Sequence, residues 1–394
     1  VRIAINGAGI GGPTLAYWLE RTGHEVLLVE AAPALRTGGY VIDFWGMGYD
    51  IAERMGLLPR IRELGYQVRE VRFVDQTGRT SAGFRTDVIT RPMRGRFTSL
   101  RRSDLAATIY GALDGRVETI FGDSIAGIED DGRCVRVTFD HSKPRAVDLV
   151  IGADGLHSRV RRLAFGAETD LEMPLGYVVA AFEAEGYQPR DELVFVTYGV
   201  PGRQISRFAA RGNTTIFLCV FHEEYLTAPW PSSAGERKAV LHEVFAGLGW
   251  ECERALAAME IADDLYFDRV SQIRLARWTN GRTALIGDAA SAVSLLAGEG
   301  TGLAMAQGYV LAGELHRADQ DFAAAFSRYE QRLMPFLRRK QATAARFASS
   351  FAPRTRGGLR VRNFVAGLLG IPLVAEIFLN RDLRDDITLP DYRL

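Results

Sequence analysis

Three groupings of glycine with an acid carry the chemistry legible in this chain. The first is Gly7-x-Gly9-x-x-Gly12, which follows the apolar run Val1 to Asn6. It opens a stretch from Pro13 to Thr22 with Leu15, Ala16 and Leu19 on one helical face, and Glu30 closes the next apolar run, Glu25 to Glu30. That order reads as strand, helix, strand. Glycines there allow a tight turn and let backbone amides approach a pyrophosphate at a helix N-terminus. An acid about 20 positions further on holds both hydroxyls of an adenosine ribose. Glu30, with no basic cluster beside it, fits an unphosphorylated ribose and therefore FAD or NAD.

The second grouping is Gly152-Ala153-Asp154-Gly155, with Ser158 and Arg161 following. The third is Gly287-Asp288-Ala289-Ala290, followed by Gly298-Glu299-Gly300. Asp154 and Asp288 each stand just past a short apolar run (Val147 to Ile151 and Thr283 to Ile286), where open α/β sheets bind their ligands. Either carboxylate is placed to accept hydrogen bonds from ribose or ribityl hydroxyls. Taken singly, such an aspartate is an ordinary cap or turn former; three signals in this order point to one extended cofactor. The amides of Gly298, Gly300, Thr301 and Gly302 lie at an expected helix start, where they and the helix dipole would stabilise the anionic edge of a reduced flavin.

The elements that must position these groups follow from patterning. Leu100 to Leu113 reads as a helix, and residues 33–100 as short helices, turns and a strand at Val68 to Asp75. Val117 to Phe121, Ile125 to Glu129 and Val135 to Phe139 read as strands. After about residue 172, Tyr177 to Glu185, Leu193 to Val200, Gln204 to Ala210 and Thr214 to Phe221 are rich in β-branched and aromatic residues, which predicts an antiparallel sheet. Helices are expected at Gly235 to Leu248, Glu251 to Glu260, Thr301 to Ala318 and Phe322 to Ser350. The fold class is α/β: a Rossmann-like cofactor-binding unit with an antiparallel-sheet unit and a long C-terminal helix.

Composition narrows the function. The 394 residues are 47% hydrophobic and 24% charged, an ordinary globular balance. Lys plus Arg (48) equals Asp plus Glu (48), so nothing advertises a nucleic-acid partner. Cys134, Cys219 and Cys252 are scattered and read as free thiols in a reducing, cytoplasmic setting. No apolar run is long enough to span a membrane; Phe364 to Leu379 comes closest but holds Pro372 and Glu376, and reads as a buried or interface helix pair. Val1 to Asn6 reads as a strand entering a glycine loop, not as a leader segment. His24, His141, His157, His242 and His316 show no metal-ligand spacing, so no metal is expected. Ser158 does not sit in a nucleophile elbow. His222 is either a base near a phenol or an exposed loop histidine.

Taken together, the GxGxxG…Glu30, Asp154-Gly155 and Gly287-Asp288 motifs resemble the single-component FAD-dependent aromatic hydroxylases, the para-hydroxybenzoate hydroxylase fold, over about residues 1–350. A closer likeness, to the tetracycline-inactivating flavin monooxygenases and their relatives, rests on Gly38-Gly39-Tyr40-Val41-Ile42-Asp43, Arg102-Ser103-Asp104-Leu105, Gly249-Trp250-Glu251, Trp278 to Arg282 and Tyr309 to Leu315. The resemblance implies that Arg102 contacts the FAD chain, that Asp43 lies near the isoalloxazine and that Asp288 holds the ribityl or pyrophosphate region. It implies a partition into 1–172 (FAD-binding, with strands of the second unit inserted around 68–100), 173–270 (substrate-binding sheet), 271–320 (FAD-binding, second part) and 321–394 (bridging helix and tail).

The resemblance also implies non-covalent FAD, reduced by transient NADPH or NADH with Arg161 as a phosphate contact, and a flavin C4a-hydroperoxide that hydroxylates a polycyclic phenolic or polyketide-like molecule. Such an enzyme would tailor or inactivate an antibiotic, as a monomer or homodimer. Phe182, Phe195, Tyr198, Phe208, Phe217 and Phe221 are the candidate substrate-binding residues, with core packing as their alternative. The sequence departs from the family at Ser291 (usually His), Leu295 (usually Pro), Glu299 (usually Gln) and Gly302 (often Asn). A carboxylate beside an anionic reduced flavin is unfavourable unless it points away or is protonated. Leu295 and Glu299 favour the alternative of a same-fold oxidase, reductase or cyclase that inserts no oxygen. A non-catalytic FAD-binding protein is the other alternative.

Overall fold

The computed structural model describes residues 1–38, 40–166, 171–227, 229–294, 298–369 and 387–394. Leu295, Gly39 and the 370–379 part of the apolar tail lie outside the described residues.

A six-stranded sheet holds the three motifs. Its order is β17 (Thr279–Asn280), β18 (Thr283–Leu285), β11 (Leu149–Gly152), β1 (Arg2–Asn6), β2 (Glu25–Glu30) and β7 (Glu118–Phe121). β18, β11, β1, β2 and β7 run parallel, and β17 pairs antiparallel with β18. The parallel strands are buried on both faces, which is why β1, β2, β11 and β18 read as unbroken apolar runs rather than alternating ones. β1, β11 and β18 lie side by side. Their carboxyl ends therefore bring Gly7, Ala153 and Ile286 together from three distant parts of the chain.

α1 (Gly11–Arg21) covers this sheet and is itself covered by α10 (Gly300–Ala318). α10 is buried from Leu303 through Leu315 with the exception of half-exposed Ala304, as befits a helix that is apolar nearly all round. α5 (Arg102–Gly111) begins directly where a strand ends, and α6 (Arg159–Phe165) and the one-turn α9 (Asp288–Ser291) follow β11 and β18 after short loops. Leu100, expected in a helix, instead lies in β6 (Phe97–Arg101), which pairs with β3 (Val41–Trp45). A three-stranded ribbon, β8 (Ile125–Asp130), β9 (Val135–Phe139) and β10 (Arg145–Val147), packs beside the large sheet.

The second sheet has seven strands, in the order β16 (Leu265–Ile273), β12 (Glu172–Glu185), β15 (Thr214–His222), β14 (Arg203–Ala209), β13 (Val194–Val200), β4 (Glu70–Val74) and β5 (Thr80–Arg85). β4 and β5 come from the 68–100 stretch and join it through the parallel pair β13–β4. One face rests on α7 (Ala234–Phe245), opened by a Ser233/Glu236 capping box, and on α8 (Cys252–Glu260). The other face turns toward the six-stranded sheet. Three contacts cross there: Tyr266 against Tyr40, His157 against Asp268 and Arg101 against Glu183. α2 (Gly46–Arg54), α3 (Leu58–Leu64) and α4 (Asp87–Thr90) fill the region after β3.

α11 (Phe322–Phe351) runs along both sheets and α12 (Arg356–Leu369) packs on β5. α11 is fastened by a reciprocal pair of buried amides. Gln272 donates to the carbonyls of Val293 and Gln341, both at 2.7 Å, and Gln341 donates to those of Ile273 (2.7 Å) and Ala292 (3.0 Å). Buried backbone acceptors are rarely left unpaired, and this clasp pairs four of them in one crossing.

Candidate active site

At the first motif each glycine has a separate reason. Gly7 has φ +109°, and a Cβ there would stand 2.4 Å from the Ala153 carbonyl oxygen; one on Gly12 would stand 2.0 Å from the Gly7 carbonyl oxygen. Both positions are closed by the protein's own backbone. Gly9 differs: its nearest neighbour is Arg102 Nη2, 3.7 Å from a Cβ position. The space above Gly9 is thus open toward a cation and the first amides of α1, the arrangement that cradles a phosphate. Glu30 accepts the amides of Ala8 (2.7 Å) and Ala32 (2.9 Å), one on each carboxylate oxygen. It holds the glycine loop in place and keeps lone pairs for a ribose.

Asp154 is more fully engaged. It accepts from Asn6 Nδ2 (2.9 Å), the amides of Arg159 (2.8 Å) and Val160 (3.1 Å), and the Ser158 hydroxyl. Asn6 in turn accepts the Ile125 amide at 3.0 Å. The Asp154 carboxylate therefore fixes its loop against β1 and caps α6, and stands behind the glycine turn. Arg161, expected as a phosphate contact, is fully buried and donates to the carbonyls of Ala289 (3.1 Å) and Leu156 (2.5 Å). It staples the second motif to the third and is out of a ligand's reach.

Asp288 opens into the cleft with protein on every side. Burial raises its carboxyl above the usual carboxylate range, tempered by the charges of Arg102 and Arg161. The carboxylate accepts no hydrogen bond from a described residue. An acceptor in that position fits the hydroxyls and phosphate-linked chain of a dinucleotide. Gly287, at φ +63°, donates its amide to Gln307 Oε1 at 3.1 Å and would meet Ala304 if it carried a side chain.

Further along lies a recess between β3, α2 and the start of α10, lined by Asp43, Trp45, Met47, Gly298, Glu299 and Leu303 among others. β3 alternates, so Asp43 and Trp45 look out of the sheet while Ile42 and Phe44 are buried. Burial raises the Asp43 carboxyl, against the lowering effect of the Ser99 hydroxyl that donates to it at 2.5 Å. Gly298, at φ +69°, is open, and Gly300 and Thr301 begin α10 beside it. Gly302 lies at a close crossing with α2: a Cβ on Gly48 would stand 2.5 Å from the Gly302 Cα, so Gly48 admits no larger residue, whereas a Cβ on Gly302 would meet the Gly48 amide nitrogen at 3.3 Å. Glu299 does not face the cleft as a bare charge, because Lys340 on α11 binds both its oxygens, at 3.1 and 2.9 Å. Ser291 is buried at the end of α9.

The six aromatic candidates divide. Phe182, Tyr198, Phe217 and Phe221 lie on the face that packs on α7 and α8; Phe182 stacks on Phe217, and Tyr198 donates to the Leu248 carbonyl. They form the core behind the sheet and are withdrawn as substrate contacts. Strand alternation decides this, and residue type alone could not. Phe195 and Phe208 lie on the opposite face, packed with Tyr66 and Val41. That face also carries Tyr177, Val179, Leu218, Val220 and Tyr266, which sequence reading missed. His222 is neither exposed nor a free base. It is buried against Tyr177 and accepts from Arg354 Nε at 2.7 Å, and burial followed by the Arg354 charge lowers its pKa.

The resemblance motifs away from the cleft are structural. Glu251 pairs with Arg207 and accepts from Tyr187, the Trp278 amide donates to Glu330, and Glu314 binds Arg328 and Tyr392. Among the described residues no cluster of His, Cys, Asp and Glu has a metal-binding arrangement, and no helix is long and apolar enough to cross a membrane.

Residues 1–326 match the FAD binding domain family model. A flavin-dependent monooxygenase from an unknown prokaryotic organism is 33% identical over 358 residues, 89% of this chain and 90% of its own length. The chain belongs to the flavin-dependent monooxygenases. An uncharacterised protein of Mycobacterium tuberculosis (strain ATCC 25618 / H37Rv) is 39% identical over 344 residues, 86% of this chain and 91% of its own. The crystal structure of the tetracycline destructase Tet(51) superposes with a TM-score of 0.83 at 29% identity, covering 99% of each chain. FAD is thus the cofactor, and the open space at Gly9, the cation of Arg102 and the Asp288 carboxylate are of a kind that suits it.

Proposed function

We propose that this monooxygenase uses NADPH or NADH and dioxygen to hydroxylate a polycyclic phenolic or polyketide-like small molecule, in antibiotic tailoring or inactivation. The observation that carries the reading is that the second sheet turns one side toward the motifs, where its half-buried Tyr266 packs on Tyr40, just ahead of the β3 strand that carries Asp43. The glycine and aspartate motifs lie on the six-stranded sheet, and Tyr266 and half-buried Leu218 lie on the facing side of the other. Gly7, Gly9, Gly12, Glu30, Arg102 and Asp288 hold the dinucleotide end of FAD, with Asp154 bracing them from behind. Gly298, Gly300, Thr301 and Gly302 present the start of α10 to the ring, with Asp43 opposite.

Bound FAD supplies the hydride acceptance and oxygen activation that no side chain offers. The chain contributes placement and dryness. The second sheet's aromatic and aliphatic face excludes water and receives a planar substrate. The raised Asp43 carboxyl is suited to hold or pass a proton at its Oδ atoms, with Ser99 fixing one of them. The departure at Glu299, which favoured a flavoprotein that inserts no oxygen, loses its electrostatic force because Lys340 neutralises it. The proposed setting is the cytoplasm, with the enzyme a monomer or homodimer.

The decisive test is mass spectrometry of turnover mixtures under isotopically heavy dioxygen, with FAD, NADPH and a panel of phenolic polyketides that includes a tetracycline. One heavy oxygen in a product is expected. Steady NADPH consumption with only peroxide formed across the panel would reject this substrate class.

A further inference from the structure

The pair Glu299–Lys340 is the strongest feature that the family pattern leaves unexplained. Lys340 comes from the bracing helix α11, and Glu299 immediately precedes α10. Both side chains are about nine-tenths covered, at 10% and 11% exposure. The ammonium also lies 5.8 Å from the ring centre of Trp45 and 5.6 Å from that of Phe336. Glu299 and Trp45 line the same pocket as Asp43. Three separate parts of the chain thus meet around one cation at the edge of the cleft. A neutral amide at position 299 would need no such partner, whereas a carboxylate this covered is strongly unfavourable without one.

We propose that Lys340 is a positioning residue that tunes the flavin: with Glu299 it forms a charge-neutral brace at the start of α10 that sets the reduction potential of the bound FAD. The inference rests on the reading that the flavin ring occupies this pocket. On reduction FAD gains two electrons and one proton, and so gains one negative charge. In a site shielded from water, a fixed charge at the pocket wall acts on that change with little screening. An unpaired Glu299 carboxylate opposes it, and an unpaired Lys340 ammonium favours it. The present pair cancels, so each member hides the effect of the other.

The test is reductive titration with dithionite against an indicator dye, on protein reconstituted with FAD. Glu299→Gln is expected to shift the midpoint potential positive and Lys340→Met to shift it negative, and the double variant to return it close to the starting value. A role in packing alone would not produce opposite signs that cancel. Unchanged potentials in both single variants, or shifts of the same sign, would overturn the proposal. Should Lys340→Met fail to fold, Lys340→Arg is expected to keep the original potential while Glu299→Gln still shifts it positive, and an unmoved Glu299→Gln then overturns the idea alone. If the unaltered protein binds no FAD, the placement of the flavin falls and the proposal falls with it. If all variants bind FAD at one common potential, only the role of the ion pair falls.

Discussion

At the Gly7–Gly12 end of the cleft the turn is backbone inside one β-α-β unit, with the side chains of Glu30, Arg102 and Asp288 beside it. At the Gly298–Leu303 end the backbone is joined by side chains from β3, β6 and α11, gathered from distant parts of the chain. At Gly7 and Gly12 the first end tolerates almost no change, because the clashing atoms are backbone. The second is built from exchangeable parts, and there the family's Gln is replaced by an acid with its own counter-ion. In the proposed reading, cofactor capture falls to the rigid end and tuning of the chemistry to the adjustable one.

The contrast is sharpest at Gly12. Gly12→Ala places a methyl against the Gly7 carbonyl oxygen, and a stability loss of about 3 kcal/mol or more is expected in urea unfolding. A fully stable Gly12→Ala protein would show that the turn is softer than described. Asp288→Ala should keep the fold and lower FAD affinity roughly tenfold or more, since the carboxylate supports no described protein hydrogen bond. Wild-type FAD retention on gel filtration would contradict its role. Gly9→Ala separates folding from binding within the rigid end. Thermal stability should change by less than about 0.5 kcal/mol, because only Arg102 Nη2 is near. FAD affinity should nonetheless fall roughly tenfold, or about 1.4 kcal/mol, as the methyl fills the approach. Equal affinity by fluorescence titration would move the phosphates elsewhere. Glu30→Ala should cost ~1–3 kcal/mol of FAD binding through lost charge-assisted hydrogen bonds, read as a dissociation constant.

The smallest effect belongs to acid stability. Burial raises the Asp123 carboxyl, but hydrogen bonds from Ser142, Ser124 and His141 overcome this and bring it down to about 2. A folded-state pKa below the unfolded one gives stability that is present above the ordinary carboxylate range. It is lost as pH falls toward about 2. Asp123→Asn should therefore lower the melting temperature at neutral pH and close the gap with wild type in acid; a gap that persists undiminished near pH 2 would refute the assignment.

Much of the rigid end was legible because its signals are local. Gly7, Gly9, Gly12 and Glu30 sit within thirty residues, and parallel strands announce themselves as apolar runs. The adjustable end was legible only in fragments. The resemblance marks Asp43, but only the alternation of Val41 to Trp45 in the folded strand shows that it looks out of the sheet. Lys340 gave no signal, because its meaning depends on where a thirty-residue helix crosses the start of another. The aromatic candidates failed for a related reason: composition marks an aromatic strand, and only register tells which side faces the ligand. Phe182 and Val179 lie three residues apart on β12 and serve opposite cores.

The two amides of Gln272 and Gln341 bear on how such a chain can diverge. Each donates to two carbonyls, one of them on the loop that leads from α9 toward Gly298, and Gln272 also binds the backbone of Gln341 itself. A change at either position therefore reaches the loop toward Gly298 as well as α11, so divergence at this crossing ties the bracing helix to the cleft.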